Sequence, residues 1–335
     1  MREKTAAGAG SAISVKDALD TSLAENTRAA YWKGWSRFAA WCRSRDLDPM
    51  AATPDDVADF LVTMASEPRS PRATTGHGRP LALGTIRVLI AAINRRYREA
   101  NRNSPAGDIR VRSVLRGLGR LEARRPRRVK ALRVQEIARI LARCDELAAD
   151  MRQRVIAARD AAVIALGFAA ALRRAELCAL EVADVEFLRR GEEVPGAFVH
   201  VRRSKTDQLG RGERVAVPEG KRVRTVSRLR AWLQLSGVVR GPLFRTMRRG
   251  GHVQERPLHP TDVARMVKRW ARAIGLDPAE YSGHSLRAGF VTSAAAHGAR
   301  LDKIMEVTRH RGTSMVLRYI RQADAFEDHA GAGFL

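Results

Sequence analysis

Residues 119–130 read GRLEARRPRRVK, a run of charge around a proline with too few apolar side chains to bury. Segments in which apolar residues recur at helical spacing flank it on both sides, so it reads as an exposed basic linker between two folded bodies. Length agrees with that division, since the chain has 335 residues and a single core usually stops growing beyond roughly 250. The sequence predicts a disordered N-terminus over 1–18, a helical domain over 19–118, the linker over 119–130 and a second domain over 131–335. The linker's Arg124, Arg125, Arg127 and Arg128 suit either a path across phosphates or a solvated tether.

In the first domain Ser22 and Glu25 make a capping box, after which Tyr31, Trp35, Phe38 and Trp41 or Cys42 recur at three- and four-residue steps. Thr53-Pro54-Asp55-Asp56 gives a second helix its N-cap, first-turn proline and acidic first turn, and Val57, Phe60, Leu61 and Met64 its buried face. Residues 66–80 read as a loop. A third helix runs through Ile86, Ile90, Ile93 and Tyr97, with Arg87, Arg95, Arg96 and Arg98 on its outer face. A shorter one follows through Val111, Val114, Leu115 and Leu118. The expectation is an all-helical module with a basic face.

The second domain opens with helices over 134–149 and 152–172, the latter so uniformly apolar at its end that it reads as a central helix. Strands over 197–203 and 214–217 flank the polar tip SKTDQLGRGE. Helices are expected over 221–236, 261–274, 284–297, 300–308 and 313–322. The fold class is mainly α with a small β-sheet.

Formal net charge is +25, with a pI near 11.3. A compact chain so charged repels itself unless a polyanion offsets it. Codon bias explains why only eight of the 61 basic residues are lysine, but not why basic residues outnumber the 36 acidic ones. Nucleic acid is the expected partner, ahead of an anionic membrane, because neutralising phosphates releases condensed counterions. The longest apolar run, 161–172, falls short of the roughly 20 residues that span a bilayer, and the N-terminus lacks a signal-peptide core. Cys42, Cys144 and Cys178 are scattered, without paired metal-ligand spacing, as suits a reduced compartment. A soluble protein of the cytoplasm, associated with the nucleoid, is expected.

Cutting a phosphodiester without a metal takes a nucleophile, cations to hold the developing phosphorane, an acid for the leaving 5′ oxygen and a base. The second domain holds candidates for each, in the order Ala171-Leu172-Arg173-Arg174-Ala175-Glu176-Leu177, Lys205, His284-Ser285-Leu286-Arg287, His310 and Tyr319. No Asp/Glu cluster or HExxH array competes, so no cofactor or metal is expected. Taken singly, each piece also has a plain reading: an Arg173–Glu176 ion pair, a turn lysine, a capping histidine, a core tyrosine.

Together, the order and spacing resemble the tyrosine recombinase or phage integrase family, especially its Cre-like members. Their patterns include an LR-x-x-E-L box, a hairpin lysine, H-x-x-R, and a tyrosine nine residues after a His or Trp, as Tyr319 follows His310 here. The resemblance implies an all-helical core-binding (SAM-like) domain joined to a mixed α/β catalytic domain. It implies a site-specific recombinase that cuts and rejoins double-stranded DNA through a 3′-phosphotyrosine. Tyr319 would be the nucleophile, with Tyr281 its rival. Arg173 and Arg287 would clamp the scissile phosphate, His284 would act as base, His310 would hydrogen-bond the phosphate, and Glu176 would orient the site. Lys205 would be the acid, a task that arginine cannot take because its guanidinium effectively never releases a proton.

The resemblance further implies a tetramer on two DNA sites, with the tail over 320–335, which carries Phe326, Phe334 and Leu335, docked on a neighbouring subunit. It allows accessory DNA-bending proteins as partners. Arg87, Arg95 and Arg96, with the linker arginines, become DNA contacts. Two departures stand out: the family's common L-G-H reads Thr308-Arg309-His310, and Ala171 stands where many relatives carry glycine. The alternatives are a type IB topoisomerase-like activity and a catalytically silent DNA-binding regulator on the same fold. Integration, excision and resolution share one chemistry and stay open.

Overall fold

The computed structural model describes residues 23, 25–66, 80–121, 129–151, 153–191, 193–202, 212–248, 250–310, 312–314, 316–317 and 319. The chain divides into two compact units, Met1–Arg127 and Arg128–Leu335.

The described part of the first unit is helical: α1 (Glu25–Arg43), α2 (Pro54–Ser66), α3 (Leu83–Glu99) and α4 (Ile109–Leu121). The start of α2 is fixed by its cap. The Asp56 carboxylate accepts from the Thr53 backbone N–H at 2.8 Å and hydroxyl at 2.7 Å, while the Asp56 N–H donates to the Thr53 hydroxyl. Phe38, Trp41 and Phe60 form an aromatic core, the Phe38 and Phe60 rings meeting edge-on at 5.1 Å. Helices α1 and α3 pack closely because Gly34 lacks a Cβ, which would stand 2.8 Å from the Cβ of Ala92. Ser22, the segment 1–18 and residues 67–79 lie outside the described residues.

The linker differs at both ends from the expectation. Helix α4 runs on to Leu121 although that side chain is 83% exposed, because each residue added to an existing helix gains a hydrogen bond with no new nucleation cost. At the other end Lys130 is docked: its N–H donates to the Glu280 carbonyl at 2.8 Å and its Nζ pairs with the Glu280 carboxylate at 2.7 Å. Residues 122–128, with Arg124, Arg125, Arg127 and Arg128, lie outside the described residues.

In the second unit α5 (Val134–Leu147), α8 (Thr225–Ser236) and α10 (His284–Ala296) pack around the central helix α6 (Arg154–Ala169). Residues Ala161 to Phe168 of α6 are all buried, which is why its sequence shows no polar face. Its fully buried Asp160 is satisfied by the Arg159 guanidinium, by Arg269 and by the Trp270 indole N–H at 2.9 Å. Strands β1 (Val185–Arg190), β2 (Glu193–Val201) and β3 (Glu213–Pro218) form an antiparallel sheet in that order. Ala197, Val199 and Val201 alternate inward on β2, and Val215 and Val217 do so on β3. A second hairpin joins β4 (Arg245–Met247) to β5 (Val253–Pro257). Strand β1 was not expected, because VEFLRR is mostly exposed and shows little apolar alternation. The tip over 203–211, with Lys205, lies outside the described residues.

The remaining elements set up the site. They are the short α7 (Arg174–Ala179), α9 (Pro260–Ala273) and α11 (Leu301–Thr308). Helix α10 is tied along its length to the chain entering α5: Leu132 donates its N–H to the Ser285 carbonyl at 3.0 Å, and the Val134 N–H donates to the Ser293 hydroxyl at 2.9 Å. Gly289 permits this contact, since a Cβ there would lie 1.7 Å from the Leu132 carbonyl oxygen.

Candidate active site

Helix α6 ends earlier than its apolar run. Ala171 adopts a left-handed conformation with φ of 47°, the Leu172 N–H returns to the Gly167 carbonyl at 3.1 Å, and the Ala171 N–H to that of Phe168 at 3.0 Å. This is the Schellman arrangement usually served by glycine, and it explains the sequence departure at Ala171: the turn is kept and the alanine bears the strain. Arg173 therefore does not close α6, as its position in the sequence implied. It is the N-cap residue of α7, and Glu176 reaches back from the first turn to accept its backbone N–H at 2.9 Å and its guanidinium at 2.5 Å.

Arg287, 2% exposed, lies one turn into α10. One terminal nitrogen donates to the Ala171 carbonyl at 2.7 Å, and the other donates to the Thr308 carbonyl. Burial first, then the charge of Arg173, lowers its pKa to about 10, so it stays cationic at neutral pH. His284, at the first position of α10, has its Nε2 2.7 Å from the Tyr319 hydroxyl. Desolvation by the packed protein, then the charges of Arg287, Arg174 and Arg173, hold its pKa below the ordinary histidine value, although the ring keeps exposed surface. A neutral imidazole at this distance can take the phenolic proton. Tyr319 packs beside Val291, Ile304 and Val316.

Helix α11 ends in a second left-handed turn, at Arg309 with φ of 56°. The Thr308 hydroxyl lies 2.7 Å from the Ile304 carbonyl and 2.8 Å from His310 Nδ1. Burial, then Arg287 and Arg173, push the His310 pKa down to about 4. The Arg309 side chain turns inward and donates to the Glu176 carboxylate at 2.7 Å. Burial alone would raise the Glu176 carboxyl, but Arg309 and then the N–H and guanidinium of Arg173 outweigh it and bring the pKa below the usual carboxylate value.

The structure thus brings Arg173, Glu176, His284, Arg287, His310 and Tyr319 into one cluster. Lys205 and the tail residues Phe326, Phe334 and Leu335 lie outside the described residues. Tyr281 is 6% exposed and packed in the hydrophobic core, away from His284's hydrogen bond. In the first unit Arg87 is exposed, whereas Arg95 and Arg96 share Glu99, at 2.6 and 3.8 Å, and Arg96 also lies over the Trp35 ring. Sequence reasoning passed over Arg309 and Thr308 as site residues; their signal was present in the altered L-G-H triplet that ends at His310.

Burial pushes the thiols of Cys144 and Cys178 up to about 12, so they are inert core groups. Among the described residues no set of three or more His, Cys, Asp or Glu side chains is placed to hold a metal ion, and no helix is long and apolar enough to cross a membrane.

Residues 130–325 match the model of the phage integrase family. The chain is 32% identical over 325 residues, 95% of its length and 88% of the relative's, to an integrase/recombinase xerD homolog of Selenomonas ruminantium. It is 24% identical over 303 residues to the recombinase cre of Escherichia phage P1, covering 86% of this chain and 81% of that one. Among solved structures it is similar to the XerH site-specific recombinase in a post-cleavage complex with a palindromic difH substrate. That match has a TM-score of 0.57 and 16% identity, over 84% of this chain and 73% of the other.

Proposed function

The chain belongs to the phage integrase family of tyrosine recombinases, and on that premise we propose that it cuts and rejoins double-stranded DNA at specific sites with Tyr319 as nucleophile. The observation that carries this reading is the 2.7 Å contact between Tyr319 and His284, on the same helix as the buried Arg287.

In the proposed reaction the Tyr319 oxygen attacks the scissile phosphorus while its proton passes to His284 Nε2. Arg173 and Arg287 offset the charge that develops on the non-bridging oxygens, and His310 donates to one of them. The bond to the 5′ oxygen breaks, and Lys205 supplies that oxygen's proton. The products are a 3′-phosphotyrosyl bond and a free 5′ hydroxyl. Because the phosphodiester is exchanged rather than hydrolysed, the 5′ hydroxyl of another strand reverses the step without ATP or a metal. A net charge of +25 favours a DNA partner, and Arg87, Arg95, Arg96, Arg124, Arg125, Arg127 and Arg128 are proposed phosphate contacts. The tetramer on two sites, the subunit-bridging tail and cytoplasmic action on the nucleoid belong to the same proposal.

The test starts with genomic DNA recovered in covalent complex with the wild-type chain, which defines the site. A nicked duplex of that segment should then trap an adduct with the wild type and none with Tyr319→Phe. Joining of two such duplexes marks a recombinase, and relaxation without joining would mark a topoisomerase instead. Absence of any covalent DNA, with tight binding retained, would replace the reading with that of a silent regulator.

A further inference from the structure

The Glu176 carboxylate is divided between two arginines. Its Oε1 accepts from Arg173 NH1 at 2.5 Å, and its Oε2 accepts from the Arg173 backbone N–H at 2.9 Å and from Arg309 NH2 at 2.7 Å. We propose that Arg309 is a positioning residue of this site, which by holding Oε2 limits the Arg173 guanidinium to one hydrogen bond with Glu176 and leaves the rest of that guanidinium for phosphate. The inference rests on the reading of the site as one of strand cleavage.

An arginine beside a carboxylate tends to engage both of its oxygens with two parallel N–H donors. Arg173 and Glu176 stand close enough to do so, being N-cap and first-turn neighbours, yet only NH1 is engaged. The Arg173 side chain keeps 23% of its surface exposed, whereas the Arg309 side chain keeps 3% and is committed to the interior. Arg309 NH1 reaches the Val307 carbonyl at 3.0 Å and the Ala170 carbonyl at 3.4 Å, and its Nε lies 3.3 Å from a Glu213 oxygen as an ion pair without hydrogen-bond geometry. The guanidinium is thereby fixed by the turn after α6, by α11 and by the start of β3.

Backbone conformation adds an independent observation. Arg309 sits at φ of 56°, where a long side chain is disfavoured and glycine is the easy choice. A residue held in such a region against its preference points to a role for the side chain. Its partner supplies that role, for the one buried acid it meets is the acid that also holds Arg173.

The experiment measures adduct formation on the nicked duplex at saturating DNA, together with DNA affinity and Tm. Arg309→Gly relieves the turn while deleting the guanidinium, and Arg309→Met deletes it without relieving the turn. Both should cleave about tenfold to a hundredfold more slowly, the range expected for a displaced catalytic group, with DNA affinity within about threefold of wild type, and Arg309→Lys should recover part of the rate. Because Arg309 acts through Glu176, adding Arg309→Gly to Glu176→Gln should slow cleavage no further. Wild-type cleavage rates in Arg309→Gly, or losses that multiply in the double variant, would overturn the inference while leaving the cleavage reading intact. If the wild type itself forms no adduct, the cleavage reading fails first.

Discussion

The carbonyl oxygen of Ala171 accepts a 2.7 Å hydrogen bond from Arg287, a residue 116 positions further along the chain. The other end of the same guanidinium binds the Thr308 carbonyl. Both acceptors stand at helix C-terminal turns, after α6 and in α11, where carbonyls lack intrahelical donors and carry partial negative charge. Arg287 is thus a buried cation held between two helix ends, which keeps it charged and fixes its direction.

Lysine cannot bridge two carbonyls and still present a planar fork to phosphate. Arg287→Lys is therefore expected to lose at least about 3 kcal/mol of transition-state stabilisation, roughly a hundredfold or more in the rate of adduct formation. A rate within tenfold of wild type on the nicked duplex would show that Arg287 serves the fold alone.

For His284 the lowered pKa sets the pH dependence. As the proposed base it would work only when neutral, so cleavage should persist below the ordinary histidine pKa of about 6.5 and fail only when pH falls through the depressed value. Arg174 is exposed and contributes to that depression. Arg174→Ala should move the acidic limb of the rate profile to higher pH, and the displacement should shrink in high salt because an exposed charge is screened. A limb that ignores both changes would remove His284 from the role of base.

How far the sequence revealed this site depended on what each residue has to do. In the proposed reaction Arg173, His284, Arg287 and Tyr319 would act through side-chain chemistry at set spacings, and spacing is legible in a linear string. The course of the backbone is less so. Residues 170–172 continue the apolar run of α6, and only the hydrogen bonds of the Schellman turn show that the helix has already ended, so that Arg173 caps α7 instead. Strand β1 escaped notice for the opposite reason, since an edge strand whose outward residues are charged has no periodic signal. At positions 308 and 309 the sequence showed only a departure from the L-G-H pattern, whereas both side chains are bonded into the cluster.

Thr308 bears on the protonation of His310. The hydroxyl has one hydrogen, and it lies within reach of both the Ile304 carbonyl and His310 Nδ1. If it donates to Ile304, His310 Nδ1 must carry the ring hydrogen and Nε2 can only accept; if it donates to Nδ1, Nε2 carries the hydrogen and can donate to a phosphate oxygen. With the His310 pKa near 4 the ring is neutral at working pH, so this choice decides its use. Thr308→Ser should retain cleavage, and Thr308→Val should slow it by about tenfold, the equivalent of one hydrogen bond of ~1.4 kcal/mol. Equal rates in the two variants would show that the hydroxyl does not direct His310.

Glu176 should also leave a mark on stability, and the sign follows from its depressed pKa. In the unfolded chain it titrates near 4.3; in the folded chain it stays ionised to lower pH. Its stabilising contribution is therefore complete above the ordinary carboxylate range and is lost as pH falls through the folded value. Glu176→Gln deletes that contribution and leaves Arg309 and Arg173 facing a neutral amide. Removing one partner of a buried pair costs about 3–5 kcal/mol, an upper figure here because the amide oxygen still accepts a hydrogen bond. Thermal unfolding at a series of pH values should show the gap between wild type and variant widest near neutrality and closing towards acid. A gap that stays constant down the series would assign the loss to packing, and the two-arginine carboxylate would then be a structural contact without electrostatic consequence.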